Sequence, residues 1–201
     1  MGVEETVTAL RAGLPVILPT DTVYGLCADA YHEAPVRHLC RLKRRPDNMP
    51  LALLASDLEV ILDAVPELRG RAAVLARGLL PGPFTLILPN PGRRFRWLCG
   101  GDPESIGIRV PELPDESRAV LERVGAVAAT SANLHGGRDP AHPGDVPEEI
   151  SSAAGALVDV GELPGTPSTV VDLRGPQPRV LREGAVPTAD ALAAITRVAS
   201  E

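Results

Sequence analysis

The chain has 201 residues, 20 basic and 26 acidic side chains, a formal charge of −6 and 44% apolar residues. That length and apolar share support one ordinary buried core, taken here as a single domain over residues 1–201, and exclude global disorder. No apolar run approaches the roughly 20 residues of a bilayer span, and Glu4 and Glu5 stand where a secretory leader would be basic. A cytoplasmic protein without a membrane partner is expected.

The five aromatic residues, Tyr24, Tyr31, Phe84, Phe95 and Trp97, leave the core to Ala, Val, Leu and Ile. They are too few for a platform that stacks single-stranded nucleic acid. The acidic balance argues against a broad non-specific nucleic-acid surface, although a small basic pocket remains compatible with it. Cys27, Cys40 and Cys99 show neither C-x-x-C nor zinc spacing and read as small apolar fillers in a reducing compartment. No metal site is expected from the protein's own residues.

In chain order, Val3, Val7, Leu10 and Leu14 share a helical face, and Gly13 stands where a C-terminal cap belongs. Pro15–Pro19 and Leu26–Ala30 read as strands, Pro35–Arg44 as a helix with proline in its first turn, and Leu51–Ala55 as a buried strand. Ser56-Asp57-Leu58-Glu59 matches a capping box ahead of Val60–Leu62, and Leu68, Ala72, Leu75 and Leu79 continue at helical spacing. Phe84–Leu88, Ile106–Val110 and Ala126–Thr130 are further strands, with a helix over Pro114–Val124 ended by Gly125. The last third offers strands over Leu157–Val160, Thr169–Leu173 and Arg179–Leu181, then a helix capped by Thr188. Alternating strands and helices predict an α/β fold with a twisted, partly parallel (mixed) sheet flanked by helices. The Gly- and Pro-rich segment His135–Pro147 reads as a surface loop over that sheet.

Rossmann, P-loop, nucleophile-elbow and H-E-x-x-H signatures are all missing. Four segments instead put polar residues beside or just after an apolar strand. Thr20-Asp21-Thr22 follows the first strand, where open α/β sheets place ligands, and equally reads as a capped turn. Lys43-Arg44-Arg45, containing the only lysine of the chain, suits a polyphosphate, or equally a solvated helix end. In Ser105-Ile106-Gly107-Ile108-Arg109, alternation places Ser105, Gly107 and Arg109 on one face, so Arg109 must meet a bound anion or a structural carboxylate. Thr130-Ser131-Ala132-Asn133 turns at a strand end and offers an anion-binding concavity. Arg179–Gly184 adds another strand with a cation, Arg182, at its end.

These segments, in this order, resemble the YrdC-like threonylcarbamoyl-AMP synthase family. The resemblance is carried by Thr20-Asp21-Thr22-Val23-Tyr24-Gly25-Leu26, the Lys43–Leu51 stretch and Leu80-Pro81-Gly82-Pro83-Phe84-Thr85-Leu86. Ile108-Arg109-Val110-Pro111, Thr130-Ser131-Ala132-Asn133, Ser168-Thr169-Val170-Val171-Asp172 and Leu181-Arg182-Glu183-Gly184 complete it. It implies a YrdC-like fold around a positively lined cavity. It also implies synthesis of threonylcarbamoyl-AMP and pyrophosphate from ATP, L-threonine and bicarbonate, a nucleotidyl transfer serving N6-threonylcarbamoyladenosine formation at position 37 of tRNA. The product would pass to a separate tRNA threonylcarbamoyl transferase complex, with weak tRNA contact as a further expectation.

By matching position, Lys43 and Arg45 would carry the catalytic handling of the triphosphate, and Ser105, Asn133 and Arg182 would also contact ATP. Thr22 and Arg109 would hold threonine, and Ser131 would sit between threonine and nucleotide. Mg²⁺ is expected with ATP, and spacing assigns no carboxylate to it. The chain departs from the family pattern at Leu54, where longer members often have histidine near threonine, and at Met49, often Asn or Lys. Two other readings are a non-catalytic module binding tRNA or double-stranded RNA, and a homologue handling carbamoyl-adenylate.

Overall fold

The computed structural model describes residues 2–46 and 48–200. Its sheet runs β7-β1-β2-β6-β3-β5-β4-β8-β9. The strands are β1 Val16–Pro19, β2 Tyr24–Asp29, β3 Ala52–Leu54, β4 Phe84–Pro89, β5 Ser105–Arg109, β6 Val127–Ser131, β7 Ala156–Leu157, β8 Thr169–Asp172 and β9 Arg179–Arg182. β1/β7, β3/β5 and β4/β8 pair in parallel and the remaining neighbours antiparallel, so the sheet is mixed, as expected. The helices are α1 Val3–Arg11, α2 Glu33–Leu42, α3 Leu58–Ala64, α4 Arg71–Leu79, α5 Asp115–Val124, α6 Glu148–Ser151 and α7 Thr188–Ser200.

The two faces of the sheet are filled differently. Leu26, Ala28, Leu53, Leu86, Ile106, Ile108 and Val171 share one core with Val36 and Leu39 of α2, Ile61 of α3, Leu75 of α4 and Ile195 of α7. On the other face Val16, Leu18, Cys27, Leu54 and Val127 pack with Val7 and Leu10 of α1 and Val120 and Leu121 of α5. Beyond the reach of α1 and α5, the same face turns small. Register aligns Cys27, Ala129, Ala52, Gly107 and Ile87 across five neighbouring strands. With alanine and glycine at the centre of that row, the face leaves a hollow.

Several element ends differ from the sequence reading for local reasons. α3 is capped by Asp57, whose carboxylate accepts from the Glu59 N–H at 2.7 Å, so Ser56 is not the cap. α7 includes Thr188 itself, whose N–H donates to the Glu183 carboxylate at 2.9 Å. β7 stops at Leu157 because the chain leaves the sheet for the Tyr24 hydroxyl, which accepts from Val160 N–H at 3.1 Å and donates to the Gly161 carbonyl at 2.7 Å. α2 ends at Leu42, short of Arg44. There Arg44 adopts φ 52°, while Arg45 N–H reaches the Cys40 carbonyl at 2.9 Å and Arg44 N–H the Arg41 carbonyl at 3.0 Å. This paired closure is the Schellman motif with arginine in the left-handed position usually held by glycine.

Candidate active site

The hollow is a cavity of about 320 Å³ whose wall includes Arg45, Ser105, Arg109, Ser131, Asp139, Ser168 and Arg182. Alternation on β5 works as the sequence implied: Ser105, Gly107 and Arg109 face the cavity, and Ile106 and Ile108 face the core. Of the eight expected site residues, Arg45, Ser105, Arg109, Ser131 and Arg182 line the cavity, whereas Lys43, Thr22 and Asn133 sit behind its wall.

Arg109 is 9% exposed and its Nη2 donates to Asp21 Oδ1 at 2.6 Å, Thr22 Oγ1 at 2.5 Å and Thr20 Oγ1 at 3.3 Å. The Thr20 hydroxyl in turn donates to the Val23 carbonyl at 2.8 Å, which closes the turn after β1. Of the two sequence alternatives for Arg109, the structural carboxylate is present: Asp21 holds one guanidinium corner. Its Nε has no partner, and neither has Asp21 Oδ2. Burial pulls the Arg109 pKa below its ordinary value, and Asp21 opposes that shift.

The reversal at Arg44 sends Lys43 and Arg45 to different places. Lys43 is 2% exposed, and its ammonium donates to the Ser131 carbonyl at 2.6 Å, the Asn133 carbonyl at 2.6 Å and Asn133 Oδ1 at 2.5 Å. All three of its hydrogens are therefore used inside the protein. The expectation that Lys43 faces the cavity is corrected: the ammonium joins the end of α2 to the end of β6. Burial first, then the charge of Arg45, pushes its pKa down to about 8, with Asp139 acting in the opposite sense.

Asn133 is held on every side, because its Oδ1 also accepts from the Ser131 hydroxyl at 2.7 Å and its Nδ2 donates to the Gly137 carbonyl at 2.5 Å. Arg45 donates from Nη2 to the Pro50 carbonyl at 2.7 Å, leaving its Nε buried and unpartnered. Arg182 reaches across to the Ser168 carbonyl at 2.8 Å, and the Ser168 and Thr85 hydroxyls are 2.8 Å apart. Residue 47 of the Lys43–Leu51 stretch lies outside the described residues.

Among the described residues, the buried side-chain polar atoms without a partner are Asp21 Oδ2, Arg45 Nε and Arg109 Nε. Native interiors leave few such atoms. Two of these are guanidinium nitrogens of cavity-lining side chains, so the site is short of acceptors and suited to anions. Among the described residues no group of three or more His, Cys, Asp or Glu could cage a metal ion.

Sequence reasoning missed Thr20 and Asp21 as the brace on Arg109, and Thr85, Ser168 and Asp139 as cavity wall. The first four stand inside motifs that the resemblance quoted, yet only tertiary pairing shows where they point. Asp139 lies in the loop that carried no periodic signal. That loop forms the cavity's rim, fixed where the Tyr24 N–H donates to the Pro140 carbonyl at 3.0 Å and the Leu163 N–H to the Ala141 carbonyl at 2.8 Å. Leu54 and Met49, the two departures from the family pattern, both line the cavity.

The sequence model Sua5_yciO_yrdC, described as telomere recombination, matches residues 8–184. The chain belongs to this family. Within the Sua5/YrdC family it is similar to a threonylcarbamoyl-AMP synthase of Pyrococcus abyssi, 35% identical over 182 residues, covering 89% of this chain and 52% of that protein. It is also similar to a threonylcarbamoyl-AMP synthase of Methylococcus capsulatus, 42% identical over 138 residues, 67% of this chain and 72% of that one. The crystal structure of P. abyssi Sua5 complexed with L-threonine superposes with a TM-score of 0.87 at 31% identity, over 96% of this chain and 57% of that one. The YrdC-like mixed α/β fold expected from the resemblance is therefore the fold observed. No helix among the described residues is long and apolar enough to cross a membrane.

Proposed function

We propose that the chain is an L-threonylcarbamoyladenylate synthase, a nucleotidyltransferase that makes threonylcarbamoyl-AMP and pyrophosphate from ATP, L-threonine and bicarbonate. The observation that carries the reading is one hollow lined by two guanidiniums that each keep an unpartnered, buried nitrogen, Arg109 Nε and Arg45 Nε. The relatives named threonylcarbamoyl-AMP synthase and the threonine complex of P. abyssi Sua5 support it. A hollow of about 320 Å³ suits small substrates and gives no support to a duplex-binding module.

The reaction joins two anions. The amine of threonine forms a bond to the carbon of bicarbonate as a C–O bond breaks and water leaves, and one oxygen of the resulting carbamate then bonds to the α-phosphorus as the bond to the β-phosphate oxygen breaks. Repulsion between the reactants and charge on the departing pyrophosphate must be offset by preplaced donors. In this reading Arg109 pairs with the threonine carboxylate through its free Nε, and Thr22 sets that guanidinium's plane. Arg45 and Arg182 take the triphosphate, with the Ser105 hydroxyl at the nucleotide side. Ser131 lies between the two substrates. Lys43 acts from behind, fixing Ser131 and Asn133 and adding a positive charge close to the phosphates. Mg²⁺ bound with ATP would neutralise part of the phosphate charge.

Residues 1–201 would form one catalytic domain working in the cytoplasm, releasing its product to a transferase complex that modifies tRNA. Pyrophosphate release measured with each substrate omitted in turn tests the assignment. The expected result is release only when ATP, threonine and bicarbonate are all present. Release without threonine would assign a carbamoyl-type activity instead.

A further inference from the structure

Three arginines and one carboxylate, Asp139, line the cavity among the described residues. Asp139 is half-buried, and no described protein group forms a hydrogen bond or ion pair with it, although Arg45 and Arg182 share its wall. Asp21 is instead braced against Arg109, so the two carboxylates are treated differently by the fold. The backbone around Asp139 is nevertheless fixed, through the Pro140 and Ala141 carbonyls that accept from Tyr24 and Leu163. The carboxylate shares the cavity wall with Arg45 and Arg182, the two arginines assigned to the triphosphate.

A bare carboxylate beside a polyphosphate site repels its ligand unless a cation stands between them. Resting on the synthase reading, we propose that Asp139 is the protein ligand for the divalent cation that arrives with ATP. Mg²⁺ is commonly held by one or two carboxylates together with phosphate oxygens and waters, so a single aspartate on an otherwise cationic wall is a sufficient protein share. The same arrangement would make the site prefer the metal complex to free ATP, because the aspartate penalises the bare nucleotide and rewards the loaded one.

The test is calorimetric titration of a non-hydrolysable ATP analogue into the wild-type chain and Asp139→Asn, each with excess magnesium and with chelator. Magnesium is expected to tighten binding to the wild type by about tenfold, and by less than about threefold in Asp139→Asn, which should bind the metal-free analogue more tightly than the wild type does. Manganese in place of magnesium should show a changed electron paramagnetic resonance spectrum in the wild-type complex with analogue, and that change should be lost in the variant. Because no described group bonds to the Asp139 side chain, an unchanged melting temperature should accompany these results. Equal metal dependence in both proteins overturns the proposal and leaves the nucleotide site standing. Failure of the wild type to bind the analogue with or without metal overturns the synthase reading and the proposal together.

Discussion

On β5, Ile106 and Ile108 point into a core closed by four helices, while Ser105, Gly107 and Arg109, one residue out of phase, line a hollow. β3 shows the same contrast, Leu53 against Ala52. The first face is built from bulk and supplies stability. The second gives up bulk at Ala52, Ala129 and Gly107 and keeps unpartnered donors, so its groups are poised for a ligand. A sheet can hold both because side chains alternate while the backbone ladder is shared.

Exchanging the two faces' properties gives the largest effects. Leu53→Ala should cost about 2–5 kcal/mol in denaturant unfolding and leave turnover per folded molecule nearly unchanged. Gly107→Val should do the reverse. A Cβ there meets nothing closer than the Leu51 carbonyl at 3.6 Å, so the strand accepts the side chain while the hollow is filled. A variant at Gly107 that kept full activity would break the comparison.

The two arginines proposed to divide the substrates, as the threonine and phosphate ends of the site, can be separated next. Arg109→Lys should raise the KM for threonine by about 100-fold with little change for ATP, and Arg45→Lys should do the opposite, since a compact ammonium cannot reproduce the fork of a guanidinium. Initial-rate kinetics with each substrate varied would decide it. Equal effects of both variants on both substrates would mean the ends are not distinct.

Lys43 sharpens the contrast through pH. Its value near 8 in the fold lies below its ordinary 10.5, so between those values the unfolded chain binds more protons and stability rises with pH. The slope should appear as the difference between wild type and Lys43→Met, because burial raises Cys27 to about 12 and that thiol acts in the opposite sense above its ordinary value. Activity should move the other way and fall through pH 8, as the charge behind the phosphate wall is lost. Parallel rise of stability and activity would contradict this placement of the ammonium. The smallest effect is at the helix end: Arg44→Gly should stabilise by about 0.5–1 kcal/mol by relieving a left-handed arginine, apart from the exposed contact with Glu149.

Periodicity made the sheet, most helices and the face assignment of β5 legible, because alternation and helical spacing are local properties. The lone lysine and the strand-end arginines were legible as chemistry for the same reason. What spacing could not show was how a single left-handed residue splits Lys43 from Arg45, sending one ammonium into protein carbonyls and one guanidinium into the hollow. Asp139 was hidden for a related reason: its loop has no repeat, and its place on the rim depends on a backbone bond to Tyr24 across more than a hundred residues.

The central claim is that this one hollow brings a threonine-derived carbamate to the α-phosphate of ATP. Mass spectrometry of the products formed from ATP, L-threonine and ¹³C-bicarbonate tests it directly. A threonylcarbamoyl-adenylate carrying the label, absent when Gly107→Val replaces the wild type, is the result expected. No labelled adenylate from the folded wild-type chain would contradict the account.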